Sequence, residues 1–202
     1  MKKAAFALAT LFAATSLFAA ARTYTVTSDS KNYAMFTSEA TLETIHGRTT
    51  GVNGTITADP ANVADSKVDI TIDLATLDTG ISMRNEHMRN RFLQIEKFPT
   101  ATFKSVSVSG AKTATPNIPA EISVTGDLTI HGVTKRITAP VRVVSIPESE
   151  VTKASRGAGD WVHATTEFPI KLSDFGITVP ETLGMKLSND VKVKIDVFAN
   201  GK

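Results

Sequence analysis

Alternation of apolar and polar residues with a period of two runs through most of the chain. Val68, Ile70, Ile72 and Leu74 share one face of a segment whose other face carries Lys67, Asp69, Thr71 and Asp73, the geometry of a strand buried on one side. The same pattern sets Ile122, Val124, Leu128 and Ile130 against Glu121, Thr125, Asp127 and Thr129, with Gly126 placed to allow a bend or a close approach. Near the C-terminus Val191, Val193, Ile195 and Val197 oppose Lys192, Lys194 and Asp196. Weaker alternation predicts strands over residues 23–27, 33–39, 52–58, 100–108, 134–145 and 161–172. Between these runs stand turn formers: Asp59-Pro60, Asp78-Thr79-Gly80, Ser109-Gly110, His131-Gly132 and the glycine-rich 156–159. Residues 116–119 and 147–159 read as long polar loops.

Eight or more one-sided strands without a fixed-period repeat predict an antiparallel barrel or sandwich, and closure of the sheet would remove exposed edges. A barrel of about eight strands can enclose a small elongated ligand. One segment breaks the pattern. In residues 79–104, Met83, His87, Met88, Arg91, Phe92 and Ile95 recur at helical spacing, and Arg84, Arg89 and Arg91 lie within about two turns. A short helix near residues 82–95, apolar on one side and cationic beside it, is expected there.

Composition narrows the function. Lys2 and Lys3 precede an apolar run that ends in the small residues Ala19 and Ala21, the form of a secretory signal peptide cleaved after Ala21 and too short for a membrane span. Residues 22–202 are then a single domain with room for a core. The 22 Lys and Arg residues exceed the 20 Asp and Glu residues by only the two lysines of the leader, so the mature chain is formally neutral and nucleic acid is not an expected partner. With no cysteine, an exported chain has no disulfide, thiol nucleophile or thiolate metal site. The expected compartment is the bacterial periplasm, with secretion as the second choice. Of the four histidines, His46 and His131 read as turn residues beside Gly47 and Gly132, and no pair has metal-ligand spacing. A nucleophile elbow and a phosphate-cradling glycine motif are both missing from the sequence. No metal, cofactor or catalytic residue is expected.

The order of several blocks resembles the YceI-like family. Thr79-Gly80, Arg84-Asn85-x-His87-Met88-Arg89, Phe92 and Phe98-Pro99-x-Ala101-x-Phe103 follow the family's spacing. The run from Gly126 through His131-Gly132 to Lys135 resembles its strand-turn-strand motif, and Asp174-Phe175-Gly176-Ile177 its late turn. Two departures stand out: Asp29-Ser30-Lys31-Asn32 replaces an early His-Ser pair, and Leu172 sits where many members carry arginine.

What the resemblance implies is an all-β, up-and-down, lipocalin-like barrel that holds polyisoprenoid lipids, quinones or similar long-chain amphiphiles. Phe36, Val68, Ile70, Ile72 and Phe103 are expected wall residues of an apolar tunnel, continued by Ile122, Val124, Leu128, Trp161 and Phe168. Met83, Met88 and Phe92 would form a pliable lid at one end. Arg84, His87, Arg89 and Arg91 are the expected head-group contacts, because the guanidinium fork suits phosphate or carboxylate. Two alternatives stand beside this one: a head-group hydrolase or isomerase with His87 as base oriented by Glu86 or Asp127, and a structural or partner-binding β-domain with a filled core. An exposed edge or helix face would allow a homodimer.

Overall fold

In the computed structural model, which describes residues 21–29 and 31–201, ten strands make one continuous antiparallel sheet. They are β1 Arg22–Val26, β2 Tyr33–Glu39, β3 Thr44–Thr49, β4 Val52–Ala58, β5 Lys67–Asp73, β6 Thr100–Gly110, β7 Ala120–Ile130, β8 Val133–Ile146, β9 Asp160–Lys171 and β10 Asp190–Gly201. The expected leader, apart from Ala21, lies outside the described residues.

The ten segments amount to a closed barrel of eight staves, because two staves are each made of two strands. Both β1 and β2 pair along the same edge of β10, at Thr25↔Asn200 and at Asp196↔Tyr33. Next to them β4 pairs with β1 while β3 pairs with β2. From β4 onward each strand pairs with its successor in the chain, the up-and-down order.

The break between β1 and β2 is closed by one side chain. Asn32, 1% exposed, accepts from Phe198 N–H through Oδ1 at 2.7 Å and donates through Nδ2 to the carbonyls of Thr27 at 2.9 Å and Phe198 at 3.2 Å. A buried amide thus replaces the ladder bonds that the broken stave cannot make. Asp29 prepares the turn by accepting from the backbone N–H groups of Lys31 and Asn32. Where the resemblance leads one to expect an early His-Ser pair, Asp29 and Asn32 organise the seam.

Period-two geometry points one face of every strand inward. Outward faces carry Lys67, Asp69, Lys104, Asp127, Arg136, Lys192 and Lys194, with surface ion pairs such as Asp127–Arg136 and Lys104–Asp69. Apolar inside and charged outside is the inverse of a membrane-spanning barrel. No helix among the described residues is long and apolar enough to cross a membrane.

Two local expectations are corrected, and a strand that the alternation did not predict is added. His46 is not in a turn: it lies exposed within β3, where Nδ1 meets the Thr37 hydroxyl across the strand pair at 3.0 Å. Two-residue alternation in β3 was hidden by Gly47, an inward position left without a side chain because the Phe36 ring fills it; a Cβ there would sit 2.1 Å from Phe36 Cε1. The polar stretch 147–159 contains helix α2, Glu150–Arg156, started by a reciprocal Ser149–Thr152 cap.

Candidate functional site

Inside the barrel is an apolar cavity of about 770 Å³. All ten strands contribute to its wall, and the inward residues are mostly Ala, Val, Ile, Leu and Phe, with a few hydroxyls such as Tyr24, Thr49, Ser145 and Thr166. Its floor is made where the turn at Val63–Asp65 sets Val63 against Val108 and Val124, tied by Val63 N–H to Lys112 O at 3.1 Å and Ala114 N–H to Pro60 O at 2.9 Å. At the opposite end, Glu43, Ile81, Met83, Arg84, His87, Leu183 and Lys186 surround the mouth. Four ionisable side chains, Glu43, Arg84, His87 and Lys186, thus stand at that end against one, Asp59, beside the floor, and the depth between is largely hydrocarbon-like.

Two aromatic rings enter the cavity over glycines of neighbouring strands. Phe36 lies over Gly47, and Phe103 lies over Gly126, where a Cβ would approach Phe103 Cζ to 2.4 Å and Lys104 O to 2.5 Å. The close approach anticipated at Gly126 is that of this ring. A β-bulge in β6 between Ser105 and Ser107 changes the strand's parity, so both Phe103 and Val108 face inward while Val106 is left exposed.

The mouth is crossed by the chain between β5 and β6. Helix α1, Ser82–His87, passes into a π-turn at Met88–Phe92, and Gln94 with φ 46° ends the helical run before Ile95. So short a helix needs outside support. Asn85 Oδ1 accepts from the backbone N–H and hydroxyl of Thr79, and its amide donates to Asp78 Oδ1 at 2.6 Å. Arg84 is held on three sides: Nε to Thr79 Oγ1 at 2.9 Å, Nη2 to Thr79 O at 2.8 Å, and Nη1 to Glu43 Oε1 at 2.6 Å. The lid is thus bolted to the β2–β3 turn.

Other blocks meet on the same end. The Phe98 ring stands edge-on to His131 at 4.7 Å, and His131 Nδ1 lies 3.2 Å from the Phe175 carbonyl oxygen, which fixes that nitrogen as the protonated one. Gly132, with φ 74°, admits Phe98 where a Cβ would come within 2.5 Å of its ring. Phe175 is 2% exposed. The sequence blocks around 98, 131 and 175 therefore form one joint between lid, hairpin and late turn, and their role is to seat the lid.

Most residues expected at the site do line this cavity: Phe36, Val68, Ile70, Ile72 and Phe103, then Ile122, Val124, Leu128 and Phe168, with Met83, Met88, Phe92, Arg84 and His87 at the lid. Trp161 does not. It occupies the outer phase of β9, its indole N–H directed to Gly157 O at 3.3 Å, and Val162 takes the inward position. Residues 161 and 168 differ in parity, so an unbulged strand cannot turn both inward. Arg89 and Arg91 also fall outside the wall: Arg89 Nη2 donates to Leu77 O at 2.8 Å, and Arg91 is exposed. Sequence reasoning passed over Lys186, a mouth cation on a loop with no periodic signal. Leu172 contributes apolar wall where many family members carry arginine.

No hydrogen bond among the described residues joins His87 to Glu86 or Asp127; Asp127 is gripped by the Arg136 fork at 2.8 and 2.9 Å on the outer face. Among the described residues, no group of three or more His, Asp or Glu side chains is placed to hold a metal.

The YceI-like domain matches residues 24–199. This chain belongs to the YceI-like family. Protein YceI of Salmonella arizonae is 34% identical over 135 residues, covering 66% of this chain and 64% of that protein, so the alignment spans somewhat less than two thirds of the relative's length. Among YceI-like solved structures, the Campylobacter jejuni YCEI protein is 27% identical, with 77% of this chain and 84% of that chain covered and a TM-score of 0.61. The fold is shared with a polyisoprenoid binding domain from Saccharophagus degradans, 17% identical, with 90% and 99% coverage and a TM-score of 0.68.

In this YceI-like barrel Asp78 forms a hydrogen-bonded latch at the root of the lid. Asp78 accepts from Gly80 N–H and from the Asn85 amide, and these bonds, the backbone one first, hold its carboxyl below the usual carboxylate range. A depressed folded-state pKa means the latch stabilises the lid above the unfolded pKa, and that contribution disappears as the pH falls through the folded pKa. Hydrogen exchange of lid amides 79–85, corrected for intrinsic rates, should accelerate on acidification below about pH 4. In Asp78→Ala the lid should exchange fast at every pH; an unchanged acid profile in that variant would exclude the latch.

Proposed function

We propose that this protein is a periplasmic carrier that sequesters or transports a long-chain isoprenoid-type lipid, tail in the barrel and head group at the mouth, with no covalent chemistry of its own. The observation that carries this is the cavity itself: a mostly aliphatic and aromatic wall running to a floor at Val63, with four ionisable groups, Glu43, Arg84, His87 and Lys186, at the mouth against Asp59 alone beside the floor. Burial of hydrocarbon contributes about 0.8 kcal/mol per methylene, so a long tail binds tightly through area alone. Its size lies within the range of roughly 300–1,000 Å³ of ligand pockets. Membership of the YceI-like family and a fold relative described as polyisoprenoid-binding support the same class of ligand.

Head-group contact falls first to His87 and Lys186, because three of the five N–H donors of Arg84 are already engaged by Thr79 and Glu43 and its charge is paired with Glu43. The basis for the compartment is the leader expected from the sequence pattern of residues 1–21. Native mass spectrometry of the purified protein, before and after solvent extraction, tests the carrier function: a discrete lipid-sized adduct should vanish on extraction and return on adding a polyprenyl lipid. Protein that is repeatedly empty and indifferent to added prenyl lipids would refute it.

A further inference from the structure

Eight large apolar side chains are exposed among the described residues, and five of them, Leu42, Ile81, Met83, Leu183 and Met185, ring the cavity mouth. Three separate segments supply them. Leu42 N–H donates to Met185 O at 2.8 Å, joining the β2–β3 turn to the loop before β10, and the Arg84–Glu43 pair joins the same turn to α1. Ile81, Met83 and Leu183 line the opening itself, whereas Leu42 and Met185 stand outside it, 63% and 55% exposed. The remaining three are scattered: Val106 at the β6 bulge, and Ile118 and Val151 toward the floor end.

We infer that this ring is a docking surface for a phospholipid bilayer, through which the mouth is set down on the membrane so that a tail passes between bilayer and barrel without crossing water. The inference deepens the carrier function and rests on it for what is transferred, but docking is a separate property. A ring around an opening, interrupted by the Arg84–Glu43 pair, has no flat centre. Without such a centre, a second copy of the chain, which needs about 800 Å² of continuous surface from each partner, is a poor fit. A bilayer needs less, since apolar residues entering about 5–10 Å into the interface suffice for reversible attachment. The ammonium of exposed Lys186, next to Met185, would meet the lipid phosphates while its stem follows the apolar ring.

The test uses flotation with vesicles of phosphatidylethanolamine and phosphatidylglycerol, without any polyprenyl lipid, and compares the full chain with Leu42→Gln/Met185→Gln. Neutral substitutions at two exposed positions off the cavity wall leave charge and interior unchanged. The unaltered protein should float with the vesicles, and still do so at about 0.5 M salt, where purely ionic attachment is screened. The double variant should float at least tenfold less, and Val151→Gln, at the other end of the barrel, should float normally. Failure of the unaltered protein to float, or equal flotation of the double variant, overturns the proposal; so does formation of a stable dimer that the double variant abolishes in place of any vesicle binding. Uptake of a detergent-dispersed polyprenyl lipid is measured in parallel and should be the same in both proteins. Absence of uptake in both would strike the carrier function, leaving docking to be judged on flotation alone.

Discussion

Replacing Ala139 with tryptophan is expected to shorten the cavity and to select against long tails. Ala139 lies mid-stave on β8, is 4% exposed, pairs with Val124 and faces the cavity. An indole there projects into open space bounded by the far wall, so the barrel keeps its closure while its depth is divided. If even about four methylenes of a bound tail are displaced, the loss is roughly 3 kcal/mol, about a hundredfold in affinity. Binding of a short prenyl chain that occupies only the mouth half should change little. The measurement is a titration of prenyl lipids of increasing length against both proteins, with circular dichroism confirming the β fold of the variant. Equal binding of long and short chains to the variant and the unaltered protein would mean that the tail does not occupy the barrel.

The second large effect is on stability. Asn32→Leu removes a buried amide that serves three backbone groups at the seam between β1 and β2, and leucine cannot supply either its donor or its acceptor. Leaving these groups without partners costs on the order of 3 kcal/mol or more. For a domain of this size the melting temperature should fall by roughly 6–12 °C. Thermal unfolding followed by circular dichroism checks it. A midpoint within about 2 °C of the unaltered protein would show that the seam is held by its flanking ladders alone. Polar surface substitutions, by contrast, should be near neutral, because the ion pairs that decorate the outer faces are exposed.

Particular residues show where the sequence was legible. Strands β5, β7 and β10 could be assigned with both faces, because apolar residues on alternate positions leave no other arrangement that buries them. The blocks at 79–103, 126–135 and 174–177 marked the right segments, but for a reason that only the folded chain reveals: Phe98, His131 and Phe175 pack on one another across more than seventy residues of sequence. Arg84, expected to face a head group, does stand at the mouth, but it also fastens the lid, since hydrogen-bond partners are set by which loop lies nearby. In β9 the expected wall residues Trp161 and Phe168 differ in parity, and only Phe168 faces inward. Staves made of two strands were not foreseen, because the residues that heal such a break, above all Asn32, look like turn formers in a linear reading.

What the sequence determined by itself was a one-sided, strand-rich domain with an apolar interior, an unusual helical insertion and no visible catalytic or metal motif. Those properties follow from local periodicity and composition, which each residue carries with it wherever the chain goes. Closure of β1 onto β10, the parity change at the β6 bulge, the empty positions at Gly47 and Gly126 that admit Phe36 and Phe103, and the gathering of Leu42, Met83 and Met185 around one opening were decided only by tertiary structure. Each depends on residues distant in sequence meeting at a fixed register. Whether the inside of a barrel is filled or hollow is a matter of the volume left between its walls, and that volume has no value until the walls are in place.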